Sequence, residues 1–361
     1  MKKQRYKWIR RAALTGALTL PVVTAGCGWF SPSESKDIDP PQGVTGSVLP
    51  GTDAAISASS DGAATVADQT AASGLTVYLK DKNGYLAPVT IQAKLDSKLT
   101  PEAQALELLV SGGPYAKLLP EGFTGVLPQG TEIRNVQIDK KTGLASVDFS
   151  KQFYDYNEQE ERSIVEAVTW TLTGMEGVSG VSLWEEGEKL QEMPVGAFPL
   201  DRPLTRAVGI NLEAQDGVDY SLSTPVTLYF SGITDQDAQY YVPVTRLVPR
   251  TSNKLASAMK QLAAGPLDGS SLTPVWVPDV SVKTLEQSKG TVTVDLSDAQ
   301  YKKGEAAPSE MLQAVVLSLT ENSGAGKVQI KLNGQSDFKD SRNVSYTEPV
   351  SRPEHLNAFK S

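Results

Sequence analysis

Apolar positions along this chain fall into two periodic blocks, separated by a short Pro-containing polar stretch and preceded by a long polar one. In the first block Thr76-Val77-Tyr78-Leu79 and the residues around Pro88-Val89-Thr90 read as strands. Thr100-Pro101-Glu102 then supplies a capping hydroxyl, a proline at the first helical position and an acid near the positive helix end. Leu106, Leu109 and Val110 line one face of that helix, and Gly112-Gly113-Pro114 stops it. Residues 132–138 and 144–149 predict a strand pair joined through the turn residues Asp139-Lys140-Lys141-Thr142-Gly143. Asn157 and Glu160 mark the start of a second helix as cap and third-position acid, and Ile164, Val165, Val168 and Leu172 form its inward stripe. A last strand, Val181 to Glu185, closes on Gly187. The order strand, strand, helix, strand, strand, helix, strand predicts a small α+β domain with its helices on one face of a mixed sheet.

The second block is the first one again. Thr227-Leu228-Tyr229-Phe230 answers Thr76 to Leu79, Tyr240 and Pro243-Val244-Thr245 answer Tyr85 and Pro88 to Thr90, and Gly265-Pro266 answers Gly113-Pro114. An ungapped match at a spacing of 147 residues runs from Val147-Asp148-Phe149-Ser150 against Val294-Asp295-Leu296-Ser297 to Gly187 against Gly334. It includes Met311, Leu312, Val315, Val316 and Leu319 on the second copy of the later helix, and Val328 to Leu332 as its last strand. A period of this size fits duplication of a whole domain rather than a solenoid unit. The expected layout is a first domain over 75–190, a connector over 191–222, a second domain over 223–337 and a polar tail over 338–361.

The residues before the first block divide in two. Lys2, Lys3, Arg5, Lys7, Arg10 and Arg11 precede an apolar run from Ala12 to Thr24, then Ala25, Gly26 and the chain's one cysteine, Cys27. This is the layout of a secretory signal over 1–26, and the apolar run falls short of the roughly 20 residues a bilayer span needs. A cysteine at the new N-terminus predicts lipid attachment at Cys27, and with no second cysteine there is no intramolecular disulfide. Residues 27–74 are rich in Ser, Ala, Gly, Asp, Thr and Pro, which predicts a disordered tether. Without the first 26 residues the chain has 28 basic and 42 acidic residues, a net charge of −14. That balance argues against nucleic acid as a partner and against electrostatic attachment to anionic lipid, leaving attachment to the lipid on Cys27.

Catalytic chemistry has few candidates. The single histidine, His355, stands in the polar tail with no cysteine or carboxylate cluster near it, so neither a metal site nor a Ser-His-Asp arrangement is expected around it. Gly112-Gly113 and Gly324-Ala325-Gly326 lack the spacing and lysine of a phosphate loop. Two acids suffice for glycoside hydrolysis, which keeps Asp148 and Asp295 in view, yet they hold the same position in two copies and are each followed by a serine two residues on. Hydrogen bonding to backbone at the strand exit accounts for them more simply. Asp155, Glu158, Glu160 and Glu161 read as a solvated helix start. Tyr78, Tyr229, Phe149 and Trp170 fall on core periodicities, while Tyr154, Tyr156, Tyr240 and Tyr241 lie nearer loops or strand edges and read as core or rim packing.

The Tyr-x-x-Pro-Val-Thr strand, the helix ending in Gly-Pro, the Val-Asp-(Phe/Leu)-Ser strand end and the final strand closing on glycine, present twice and in order, resemble the GerM domain. With the lipoprotein-like signal, in which Thr24 stands where a leucine is usual, the chain resembles the GerM family of spore-forming bacteria. The first copy departs from the pattern with Trp184-Glu185-Glu186-Gly187, where the second has Lys331-Leu332-Asn333-Gly334. The resemblance implies a fold like the ring-building modules of secretion systems and a non-enzymatic lipoprotein of sporulation and germination, without cofactor, metal or small-molecule substrate. It places the protein on the outer face of the cytoplasmic membrane, in the space between the membranes of the engulfed forespore. Its partners there are expected to be proteins of the channel complex joining mother cell and forespore. Peptidoglycan is the alternative partner, bound or hydrolysed.

Overall fold

The computed structural model describes residues 74–92, 96 and 98–359. The signal, Cys27 and most of the tether lie outside the described residues. In the first copy the strands β1 (Leu75–Asp81) and β2 (Leu86–Ile91) form a hairpin, followed by α1 (Pro101–Leu108), the short β3 (Phe123–Thr124), β4 (Ile133–Asp139), β5 (Leu144–Phe149), α2 (Glu158–Leu172), β6 (Gly180–Glu185) and β7 (Glu188–Lys189). After β8 (Glu213–Ala214) the second copy gives β9 (Ser223–Ile233), β10 (Gln239–Pro249), α3 (Lys254–Ala264), β11 (Ser281–Ser288), β12 (Thr291–Ser297), α4 (Ser309–Ser323), β13 (Lys327–Leu332) and β14 (Val350–Ser351). Each copy thus carries the expected order of elements within an α+β fold.

The single mixed sheet expected for each copy is instead two sheets. One has the order β2-β1-β3, with its counterpart β8-β10-β9; the other has the order β4-β5-β6-β7, with its counterpart β11-β12-β13-β14. The second kind is mixed, since β5 runs antiparallel to β4 and parallel to β6. What separates the sheets is the helical layer: α1 packs on both β1 and β4, and α2 on both β1 and β6. The helix also finishes the open edge of the hairpin. Tyr78 N donates to Thr171 Oγ1 at 3.0 Å, and in the second copy the equivalent Tyr229 N donates to Ser318 Oγ at 3.1 Å. A strand amide that no neighbouring strand reaches is satisfied by a hydroxyl of the crossing helix.

The predicted helix starts are found with one change of mechanism. Thr100 caps α1 by accepting from Ala103 N at 3.3 Å, with Pro101 at the first position. Asn157 occupies the cap position of α2 but its side chain makes no capping bond; Glu160 pairs with Lys80 of β1 at 3.2 Å instead. Tyr78, Phe149, Trp170 and Tyr229 are all buried, as their periodicity predicts, and Phe149 stacks on Phe153 with ring centroids 4.4 Å apart.

The segments that look like connector and tail extend the duplication. Leu204 pairs with Val181 of β6, and Val350 of β14 pairs with Val328 of β13. Two residues beyond each stand Arg206 and Arg352, and then Ile210-Asn211 and Leu356-Asn357, all at a spacing of 146. Met193, Leu200, Leu204 and Ile210 are buried, as are Phe338, Tyr346 and Leu356, so the polar composition of both segments conceals a set of apolar anchors.

Candidate functional site

The densest set of polar side-chain contacts lies at the joint between the two copies, and most of its residues are not the ones the sequence offers for chemistry. Strands β2 and β10 run beside one another there without sharing a ladder, and two asparagines bridge them. Asn211 donates from Nδ2 to Leu86 O at 2.8 Å and Pro243 O at 2.7 Å, while its Oδ1 accepts from Leu86 N at 2.8 Å. Asn357 donates to Pro88 O at 2.7 Å and Tyr241 O at 2.8 Å, and accepts from Tyr241 N at 2.8 Å. Both have positive φ, 47° and 52°, a conformation asparagine tolerates better than most residues. The preceding residues repeat the symmetry: Ile210 exchanges bonds with Thr245, and Leu356 with Thr90. An approximate twofold relation therefore links the copies, with one clasp on each side.

Tyr240 crosses the same joint. Its hydroxyl donates to Asp81 Oδ2 at 2.7 Å, its ring meets Phe123 edge-on at 5.1 Å, and burial followed by the Asp81 carboxylate pushes its phenol up. The ring lies over Gly232, its partner on β9; a Cβ there would come within 2.5 Å of the ring. Gly232→Ala is therefore expected to dislodge Tyr240 and lower Tm by several degrees, roughly the effect of an overpacked site, in a thermal melt monitored by tyrosine near-UV dichroism. Lys82 pairs with Asp235, and Tyr85 hydroxyl lies 3.1 Å from Ser270 Oγ, adding polar links at the rim.

The joint also holds an ion cluster. Arg206 Nη1 and Arg352 Nη1 both donate to Glu321 Oε2, at 2.7 and 3.0 Å, and the Tyr229 hydroxyl donates to the same oxygen at 3.3 Å while accepting from Arg352. Arg206 stacks over the Trp170 ring at 4.4 Å and Arg352 over the Tyr229 ring at 5.0 Å. Burial alone would raise the Glu321 carboxyl, but the two guanidinium groups outweigh it and hold the group below its ordinary value.

The remaining candidates are spread out. Asp148 Oδ1 accepts from Gly187 N at 3.0 Å and Asp295 Oδ1 from Gly334 N at 2.8 Å, each closing the turn after the last strand of its own copy. Ser150 Oγ accepts from Glu132 N at 3.0 Å in the same manner. His355 is exposed and its ring lies against Gly74. Trp184 donates to Ser182 Oγ at 2.7 Å, and Glu186, at φ 50°, pairs with Arg134 at 3.0 Å. Among the described residues no group of three or more His, Cys, Asp or Glu is placed to hold a metal ion, and no helix is long and apolar enough to cross a membrane.

Glu161 corrects the reading of the acidic helix start. Asp155 and Glu158 are exposed as expected, but Glu161 is only 3% exposed. Its carboxylate accepts from Tyr156 hydroxyl at 2.8 Å, Gly196 N at 2.6 Å and Phe198 N at 2.9 Å, which ties the connector to α2. Burial opposes this charge, yet the backbone amides and the tyrosine hold the carboxyl below its ordinary value of 4.5. Glu166 runs the other way, raised by burial against Arg162 and Asn211 N. The signs give a pH dependence. Glu161 and Glu321 stabilise the fold above about pH 4.5 and lose that contribution as pH falls through their lower folded values. Glu166, raised in the fold, loses stability as pH rises above about 4.5. Tm measured between pH 3 and 7 is expected to fall on the acid side, and Glu161→Gln to flatten that slope.

The geometry defines a class: a tandem α+β protein whose notable polar side chains join its own parts. The family model described as "Germane: Sporulation and spore germination" matches residues 76–191 and 227–337. The chain is 38% identical over 361 residues to the spore germination protein GerM of Bacillus subtilis (strain 168), covering 96% of this chain and 97% of that one. The solved tandem GerMN domains of the sporulation protein GerM from Bacillus subtilis match with a TM-score of 0.72 at 38% identity, over 79% of this chain and 99% of the other. The chain belongs to the GerM family of sporulation and germination proteins, with two GerMN domains in tandem.

Proposed function

We propose that this protein is a non-enzymatic, lipid-anchored assembly factor of sporulation, supporting the envelope-spanning channel complex between mother cell and forespore. The lipid on Cys27 holds it at the outer face of the cytoplasmic membrane, in the space between the membranes of the engulfed forespore, and the tether lets the two domains work away from that surface. The observation that carries this reading is the use made of the chemically able side chains. Asp148 and Asp295 close equivalent turns, and Glu161, Glu321, Arg206 and Arg352 fasten segments of the chain to one another. Two copies of one module, fastened in this way, offer neighbours two similar but unequal surfaces at a fixed spacing, which suits assembly. Ring-building-like packing of the modules against neighbouring subunits is part of the same proposal.

The alternative, a peptidoglycan-binding or peptidoglycan-hydrolysing protein, is separated by two assays on the purified folded region. With intact sacculi the expected result is no soluble fragments and no co-sedimentation. Fragments released by the wild type and lost in Asp148→Asn or Asp295→Asn would replace assembly with hydrolysis; co-sedimentation alone would replace it with wall binding. Mass spectrometry of the mature N-terminus is expected to find diacylglycerol on Cys27, and Cys27→Ser to shift the protein from the membrane fraction to the soluble one.

A further inference from the structure

The twofold relation between the copies is broken at the acid of the ion cluster. Arg206 and Arg352 are equivalent, each standing two residues past the short pairing made by Leu204 or Val350, and each lies over an aromatic ring of its own copy. Full symmetry would give each its own acid. The position equivalent to Glu321, 147 residues earlier, is Gly174. Helix α2 ends at Leu172, before that position, whereas α4 continues through Glu321 to Ser323. One carboxylate oxygen therefore serves two guanidinium groups, and the Glu321 side chain is only 9% exposed while doing so. The excess positive charge falls on the first copy, whose joint face presents Arg206 over Trp170 with no acid of its own at this point.

We infer that Glu321 is the specificity-determining residue of the joint: the cationic face of the first domain is complete only against a surface that supplies a carboxylate here, which in this chain is the second domain. Two first-domain faces from separate molecules would bring two Arg206 side chains to the same axis with no acid between them. Like charges brought together where both are largely withdrawn from water are unfavourable, so that pairing is selected against, and first-to-second pairing within the chain is kept. Glu321 is thus a positioning residue for whatever surfaces the two domains present outward.

The symmetry carries a consequence that a local packing role would not share: the acid can come from either side. Gly174 is not in the left-handed region, and a Cβ built on it would stand 3.4 Å from Arg206 Nη2, with Trp170 O and Thr171 O at 3.2 and 3.3 Å. A glutamate at 174 would accordingly meet Arg206 from its own copy, as Glu321 meets Arg352.

The test is a set of thermal melts on the folded chain. Glu321→Gln is expected to lower Tm by roughly 5–10 °C, the effect of leaving buried charge without its partner. In that background Gly174→Glu is expected to recover about half of the loss relative to Gly174→Ala, which controls for the cost of the added Cβ; the recovery is expected to fade in high salt. In the unmodified background Gly174→Glu is expected to melt above Gly174→Ala, which keeps the comparison available should Glu321→Gln fold poorly. Equal or lower melting of the glutamate variants than of the alanine ones, in both backgrounds, would overturn the inference, as would a Glu321→Gln variant that melts like the wild type.

Discussion

Trp170→Ala is expected to remove about 4–5 kcal/mol of stability, a large part of the roughly 5–15 kcal/mol a folded domain has. The ring is fully buried in α2 and meets Tyr78 of β1 edge-on at 5.6 Å. It also lies beneath Arg206 and donates from Nε1 to Gly209 O at 2.7 Å. Truncation therefore opens a cavity, strands a buried carbonyl and takes away the surface on which a half-buried guanidinium rests. Each of these costs adds to the transfer term. Urea denaturation is the check. The midpoint should fall with the slope unchanged, and Trp170→Phe should recover most of the packing but not the bond to Gly209. A loss below about 1 kcal/mol would mean that the site collapses around the gap and that the ring does not anchor the joint.

The second large effect is expected at Arg246, which is 1% exposed in the middle of β10. Its guanidinium donates to Glu213 Oε1 at 2.6 Å, Gln261 Oε1 at 3.0 Å and Gly265 O at 3.0 Å, and lies 5.4 Å from the Phe230 ring centroid. One side chain thereby connects β8, β10 and the end of α3. Arg246→Met keeps the volume and removes every donor, so a loss of about 3–5 kcal/mol is expected, because Glu213 and the C-terminal carbonyl of α3 are left behind. Arg246→Met with Glu213→Leu should be closer to neutral than the single change, since replacing both members of a buried pair removes the stranded charge. Unfolding free energies of the two single variants and the double variant measure that coupling directly.

The parts of this fold that were legible in the sequence are those governed by local rules. Thr100-Pro101 announces a helix start because a capping hydroxyl and a fixed φ act over a few residues, and the stripe Ile164, Val165, Val168 and Leu172 announces a buried face because helical periodicity is local. Trp170 and Tyr229 were legible as core for the same reason. The division of each copy into two sheets was not, because it depends on which edge of β1 the distant Phe123-Thr124 takes and on Thr171 satisfying the amide of Tyr78.

Glu161 shows a different failure. One acid among four at a helix start looks solvated, and only the return of Gly196 and Phe198 onto it, 35 and 37 residues later, makes it a buried anchor. The extension of the repeat to Asn211 and Asn357 was present in the sequence as Pro-Leu-Thr-Arg against Pro-Val-Ser-Arg followed by Ile-Asn against Leu-Asn. It was masked by polar composition. A segment that fastens two domains through asparagine amides and arginines need not be apolar to be structural. The cue that would have found it is the recurrence of the same ordered residues at a spacing of 146, one less than the spacing of the main match.

The family places this protein in sporulation and germination; the proposal gives it the role of an assembly partner. The most direct test is in-cell crosslinking followed by pull-down of the full-length, membrane-anchored protein from sporulating cells. The account predicts recovery of channel-complex components with the wild type, and reduced recovery with Glu321→Gln, in which the joint between the two domains is weakened. Recovery of no channel component with the wild type, under conditions that capture known contacts within the complex, would contradict it.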